Sequence, residues 1–364
     1  MNILVQLSHP AHYHLYKNSI KSWQSNKHNV FILIKSKDIL EELLKNADIE
    51  YYNILPVENR KSKFDILLGL IVKDLRIFMF SKKYKIDILT GSTPEVAHIG
   101  WFMNKSSVNT GEDDMLVVPA WKRIAGPFVQ TLLSPIVCNN DTLEQKSVKY
   151  ESYHELAYLH PNHFQAYKDI VEKYFSSKKP YVIIRFAKLN AHHDKGIQGI
   201  NTEIAQKLID ILKPYADIYI TSERELESQF EQYRIKINPL DMHHVMAFAQ
   251  LYIGDSQTMA AEAGVLGVPF VRFNDFVGRI GYLRELEDVY NLGYGIKTNE
   301  VEKLYKTVSD LISMLDRSKV FALRRQKMLS EKIDYAQFLT WFIENYPQSA
   351  QIMRENPDYQ YRFK

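Results

Sequence analysis

Apolar residues recur along this chain in short blocks, separated by polar turns whose spacing alternates between two periods. Residues 3–7 form a brief apolar run of strand type, 14–26 carry a helical period, 30–34 are again strand-like, and 38–45 are helical. A further strand is expected at 86–90 with a helix over 94–103 behind it, and 136–138 is expected to end the first sheet. The rhythm restarts after the Lys-rich stretch 176–179 and Pro180, with strand 181–185, helix 202–212, strand 218–221 and helix 223–233. Helix 242–249, strand 251–253, helix 257–266 and strand 269–273 follow, then helices from 301 onward that include the aromatic-rich 338–346. Strand alternating with helix implies parallel strands, right-handed crossovers and ligand sites at the carboxyl ends of the strands. The pattern predicts an α/β chain of two Rossmann-like domains facing each other across a cleft. Their spans are 1–165 and 178–335, with the boundary between about 161 and 180 and a helical tail over 336–364.

Bulk properties narrow the function classes. At 364 residues, 46% hydrophobic and 24% charged, the chain has the make-up of a folded two-domain globular protein. A net charge of only +3, spread along the whole chain, leaves no electrostatic footprint for nucleic acid. Cys138, the one cysteine, excludes an intramolecular disulfide and a cysteine zinc site and fits a reducing cytosol. The N-terminus runs into a strand pattern without signal-peptide features, and the most apolar stretch, 66–80, is interrupted by Lys73, Asp74 and Arg76. The expectation is a cytoplasmic protein that meets a membrane only from its inner face. Residues 60–85, an apolar run with basic flanks, could rest on anionic lipid and admit a lipid-linked acceptor; a helix covering the first sheet explains them more simply.

The most informative stretch is 251–273, in which a strand enters a Gly254-Asp255-Ser256 turn, a small-residue helix follows, Gly267 stops it and Pro269 opens the next strand. The start of such a helix presents unpaired amides and partial positive charge at the sheet edge, where a diphosphate can be held without a metal. Asp255, Ser256, Gln257 and Thr258 are the candidate cradle, and Glu262, one turn beyond Thr258, is placed to accept hydrogen bonds from ribose hydroxyls. The alternative is that Asp255 or Ser256 caps a helix and Glu262 is a solvated charge.

After the first strand, Ser8-His9-Pro10-Ala11-His12-Tyr13-His14 sets three histidines within six residues. His12, or failing it His9, could take the proton from an acceptor hydroxyl. A metal site lacks a supporting Cys or HExxH context, and helix capping or packing is a third reading, most apt for His14. Arg185 ends a strand and is followed by a polar loop with Asn190, His192, His193 and Asp194. A cation there would stabilise a leaving diphosphate. Ser222, in Thr221-Ser222-Glu223, could meet the nucleobase or ribose or cap a helix. Residues 90–95 and 110–114 end two first-domain strands and bring Glu112 and Asp113 to the sheet edge. His243 and His244 read as helix-face residues.

The helix with Glu262 seven residues before Pro269 is similar to the donor-binding signature of GT-B glycosyltransferases, notably the peptidoglycan enzyme that adds N-acetylglucosamine to lipid I. It also resembles the corresponding region of UDP-N-acetylglucosamine 2-epimerases. The opening His-Pro-Ala-His-x-His, Tyr150 to Leu159 and Ala191-His192-His193-Asp194 together resemble the family catalogued as domain of unknown function 354. These resemblances imply a GT-B fold and a role in surface polysaccharide synthesis. They match His12 to a histidine of GT-B enzymes, His193 and Arg185 to diphosphate ligands of the epimerases, and Glu112 and Asp113 to epimerase acidic catalysts. Asn274, Asp275 and Arg279 fall where GT-B enzymes contact the sugar. The implied activity is an inverting, metal-independent transfer from a UDP-linked sugar, without a cofactor. A UDP-N-acetylhexosamine 2-epimerase or hydrolase is the second possibility, weakened by the missing Thr-Arg-Pro-Glu opening, and a non-catalytic nucleotide-sugar-binding scaffold the third.

Overall fold

Apolar runs too continuous to leave either face in water end up in two parallel sheets, each covered by helices. The computed structural model describes residues 1–35, 39–55, 63–175, 179–187 and 199–364, with only the backbone of 63–67. It divides into a unit of 1–158 with 332–364 and a unit of 159–331.

The first unit holds β1 (Asn2–Leu7), β2 (Asn29–Lys35), β3 (Tyr52–Leu55), β4 (Ile88–Gly91), β5 (Ser106–Thr110), β6 (Thr131–Pro135) and β7 (Ser147–Tyr150). They lie in the order β3-β2-β1-β4-β5-β6-β7, all parallel, with Val5 paired to Ile32 on one side and Thr90 on the other. Strand order reverses between β1 and β4, and ligands of doubly wound sheets gather outside the strand ends at such a reversal. Residues 136–138, expected as the last strand, form a turn instead. Thr131–Pro135 is the strand, because Leu132 and Leu133 supply its buried pair while Ile136 is exposed. The first helix runs Pro10–Ser25 rather than from residue 14, with Pro10 at its first position and His9 as its cap. The helix expected from 38 is described from Leu40.

The C-terminal helices return to this unit. In Tyr335–Glu344, Asp334 caps the start by accepting from Gln337 N at 3.1 Å, while Ser19 Oγ and Trp23 Nε1 of the first helix donate to Ala336 O (3.2 Å) and Thr340 O (3.3 Å). Residues 336–364, the helical tail expected from the sequence to lie against one or both domains, are therefore a layer of the first unit.

The second unit holds β8 (Tyr181–Phe186), β9 (Asp217–Ser222), β10 (Leu251–Gly254), β11 (Phe270–Phe273) and β12 (Gly293–Ile296), parallel in the order β12-β11-β10-β8-β9. Its reversal lies between β8 and β10. The helix Thr202–Leu212 buries Ile204, Ala205, Leu208, Ile209 and Leu212, and Asn201 caps it by accepting from Ile204 N at 2.9 Å. Gly267, at φ 82°, closes the helix Gln257–Leu266 in the left-handed conformation. Strand β12 (Gly-Tyr-Gly-Ile) carries no strand signal. A Cβ on Gly293 would sit 2.4 Å from the Phe270 ring, so this edge can approach β11 only with a glycine.

Two expectations fail here. Residues 223–233 form a turn and a short 3-10 helix, Ser228–Tyr233, since Ser222 folds the chain back onto Arg224. The second unit also begins at 159, ahead of the expected boundary. Tyr167 N donates to His244 Nδ1 (3.1 Å) and Tyr174 OH to Asp241 Oδ2 (2.6 Å), which ties 159–175 to the helix Met242–Ala247.

Candidate functional site

In the second unit the reversal between β8 and β10 is organised around Asp255. Its buried carboxylate accepts from Ala187 N at 2.6 Å and Ile200 N at 3.3 Å, so one side chain fixes the end of β8 and the approach to the next helix. Burial pushes this carboxyl up to about 6 against the pull of those backbone bonds. Asn274, wholly buried after β11, donates to Asp255 O (3.1 Å) and accepts from Phe276 N (2.9 Å). Asp255 and Asn274, both named from the sequence as ligand candidates, brace the reversal from inside through these backbone bonds. The Ser222 hydroxyl, a further ligand candidate, donates to Arg224 O (2.7 Å) and accepts from Arg224 N (3.1 Å).

The helix Gln257–Leu266 begins at this reversal. Ser256 takes the extended backbone of a capping residue yet makes no side-chain capping bond, so the first-turn amides have no side-chain cap. Ser256, Gln257 and Thr258 are half-buried. The Gln257 side chain is itself braced, accepting from Arg272 Nη1 at 2.8 Å. Arg272 is wholly buried and forms a two-pronged pair with Glu287, whose carboxyl burial raises while Arg272 pulls it back. Neither residue stood among the sequence candidates, because a strand position and a position in the short π-helix Glu285–Val289, fifteen residues apart, share no motif.

Glu262 lies in the second turn, only 5% exposed, with Oε1 3.0 Å from His243 Nε2. His243, read from sequence as a helix-face residue, is buried against it. Arg185 ends β8 with its guanidinium on Thr221 and Glu223, while its Nε is buried without a hydrogen-bond partner. Asp275 accepts from Thr298, and Arg279 is exposed above the Phe276 ring at 5.6 Å. His193, with Asn190, His192 and Asp194, lies outside the described residues.

In the first unit β1, β4 and β5 are neighbours, so the segments leaving them share one edge. His9 and His12 are on a helix start rather than in an extended loop. Their Nδ1 atoms accept from Ala11 N (3.2 Å) and Ser8 N (3.3 Å). A neutral imidazole whose Nδ1 accepts carries its proton on Nε2, so neither ring holds a basic lone pair there. His14 is buried against the Tyr158 ring. Beside them runs a hydroxyl relay, Ser92 to Thr110 (2.9 Å), Thr110 to Tyr16 (3.1 Å) and Tyr16 to Thr90 (2.9 Å); burial pushes Tyr16 up to about 12.

Glu112 and Asp113 follow β5, half-buried. Glu112 Oε2 accepts from His154 N at 3.2 Å and lies 3.4 Å from His154 Nδ1. Burial drives the His154 imidazole down to about 3 despite the nearby Asp113 carboxylate, its Nε2 is buried without a hydrogen-bond partner, and its ring stacks on Tyr335 at 5.6 Å. The Cys138 thiol donates to Glu112 O at 2.8 Å; burial first, then Asp114, Glu112 and Asp113, push it well up and keep it protonated. The sequence marked His154 only as part of a family motif, since its partner stands 42 residues away. Among the described residues no group of three or more His, Cys, Asp or Glu side chains is arranged to hold a metal ion.

Solved structures share this fold across nearly their whole length. The glycotransferase of kitacinnamycin matches at a TM-score of 0.63 and 11% identity, covering 94% of this chain and 98% of that one. A spinosyn rhamnosyltransferase complexed with thymidine diphosphate matches at 0.62 and 14%, covering 94% and 100%. The UDP-GlcNAc 2-epimerase from Neisseria meningitidis bound to UDP-GlcNAc matches at 0.59 and 15%, covering 90% and 100%. At these identities the likeness shows the fold alone, a GT-B fold built of two Rossmann-like units. No curated protein matches the sequence significantly. The model of the family described as Protein of unknown function (DUF354) matches residues 1–327, and the chain belongs to that family.

Proposed function

We propose that the chain transfers a sugar from a nucleoside diphosphate donor, UDP-linked, to a saccharide or lipid-linked acceptor, without metal and with inversion, in surface polysaccharide or glycoconjugate synthesis. The observation that carries this reading is the start of the helix Gln257–Leu266. Its first-turn amides lack a side-chain cap and stand at the strand-order reversal of a parallel sheet, where partial positive charge suits a diphosphate. Structures of the same fold hold thymidine diphosphate and UDP-GlcNAc. Backbone amides of 256–258 take the phosphates, Arg185 and Arg279 supply positive charge, and Glu262, oriented by His243, takes the ribose hydroxyls.

On the first unit His9 and His12 serve as Nε2–H donors to acceptor or leaving oxygen. The base passes from His12 to Glu112, a carboxylate held at one oxygen by the His154 amide, with Asp113 beside it. The same pair favours a second reading, the 2-epimerase or hydrolase, in which Glu112 and Asp113 act on the sugar itself. Product analysis separates them: free sugar or an epimer formed without acceptor supports the second, acceptor-dependent release of nucleotide the first.

Calorimetric titration with UDP-, GDP-, CMP- and dTDP-sugars tests the binding site. Glu262→Gln is expected to weaken the preferred donor by roughly tenfold to a hundredfold, as loss of charged hydrogen bonds costs about 1.5–3 kcal/mol. Unchanged affinity would remove Glu262 from the site.

A further inference from the structure

The helix Lys63–Lys83 has a covered side and an apolar outer side. Ile77 joins Ile86, Leu89 and Val96 in the core, and Ser81, near it on the inner face, is also buried. Leu68, Ile71, Leu75 and Met79, three or four residues apart and so on one helix face, are all exposed. The stripe continues sideways onto the helix Pro94–Phe102, where Phe78 meets Phe102 edge-on at 5.6 Å and both Trp101 and Phe102 are more than half exposed. Ile124, exposed on the helix Pro119–Ala125, extends it past Phe128, which packs on Trp101 at 5.3 Å. Exposed bases rim the patch, Lys82, Lys83, Lys85 and Arg123, while Arg76 on the same helix donates to Ile54 O. The nearby acids are engaged, Asp74 with His98 (2.9 Å) and Asp87 with Asn2 N (2.8 Å).

We infer that this face of the first unit docks on an anionic lipid surface, with the helix Lys63–Lys83 and the Trp101–Phe102 corner lying in the headgroup region. The covering helix expected from the sequence and the membrane-contacting one are the same helix, seen from its two sides. Among the described residues no helix is long and apolar enough to cross a membrane, so the contact is peripheral. An apolar stripe with aromatic residues and a basic rim is the composition that binds such an interface, the bases adding electrostatic attraction to anionic headgroups. A second copy fits less well, because symmetric pairing would set the two basic rims against each other. The inference stands on the patch alone and not on the proposed chemistry.

Full-length protein is floated with phosphatidylglycerol–phosphatidylcholine vesicles and with pure phosphatidylcholine vesicles. Binding is expected to the first, to fall with added salt, and to be weak on the second. Leu75→Glu with Met79→Glu, both at exposed positions, is expected to reduce binding by about tenfold or more. Brominated acyl chains should quench tryptophan emission of the wild type, and Trp101→Phe should remain bound while losing most of that quenching. Absence of binding to the anionic vesicles overturns the inference, and so does binding that the Leu75→Glu, Met79→Glu variant leaves unaltered. Wild-type dimerisation without vesicle binding, abolished by the double substitution, would assign the face to self-association and overturn it too.

Discussion

His154 couples the first unit's edge to pH. Its imidazole titrates near 6.5 when unfolded and about 3 in the fold, because burial disfavours the charged ring. Between those values the unfolded chain holds more protons than the native one, so stability falls as pH drops from about 6.5 toward 3, by up to about 1.4 kcal/mol per pH unit. Above that window the residue adds no pH dependence. His154→Gln is expected to flatten this part of the acid-unfolding curve measured by denaturant titration at successive pH values. An unchanged slope would mean the ring is charged in the native state. The neighbouring Cys138, a buried protonated thiol, should resist alkylation until the chain unfolds.

At the level of elements, the brace behind the proposed phosphate site is a buried ion pair, and such pairs behave asymmetrically on substitution. Arg272 and Glu287 satisfy each other, and Arg272 also fixes Gln257 at the helix start. Removing one partner strands the other charge, so Glu287→Leu should cost about 3–5 kcal/mol of unfolding free energy, whereas Arg272→Met with Glu287→Leu should recover most of it. Additive losses in that cycle would show that the two do not act as a pair. The elements themselves were legible where one period dominated: helices Thr202–Leu212 and Gln257–Leu266 lie where the apolar spacing and Gly267 set them. Strand β12 was not, because its two glycines serve close packing, Gly293 against the Phe270 ring and Gly295 against the Glu287 carboxylate, rather than strand propensity. The helix expected over 223–233 failed because the hydroxyl of Ser222 closes a local turn. Of the site, the Gly254-Asp255-Ser256 turn announced its place at the sheet edge. The sequence could not tell that Asp255 and Asn274 face inward, or that Glu262 meets His243 and Glu112 meets His154, since those are properties of tertiary contact.

Over the whole molecule, two doubly wound sheets each place their strand-order reversal where chemistry-bearing segments leave the sheet. Histidine donors and carboxylates gather on the first, and an uncapped helix start with a buried Glu–His pair on the second. Rossmann-like units host many activities, so function rests on those segments and not on the fold. The proposed sugar transfer requires that the start of the helix Gln257–Leu266 hold phosphate. Calorimetric titration of UDP and the other nucleoside diphosphates against wild type and Thr258→Glu decides it. A carboxylate in the first helical turn favours the helix itself, so a loss of binding would not reflect unfolding. The wild type should bind one of these nucleotides in the micromolar range and Thr258→Glu at least about tenfold more weakly. Failure of the wild type to bind any of them, or equal binding by the variant, would contradict the assignment.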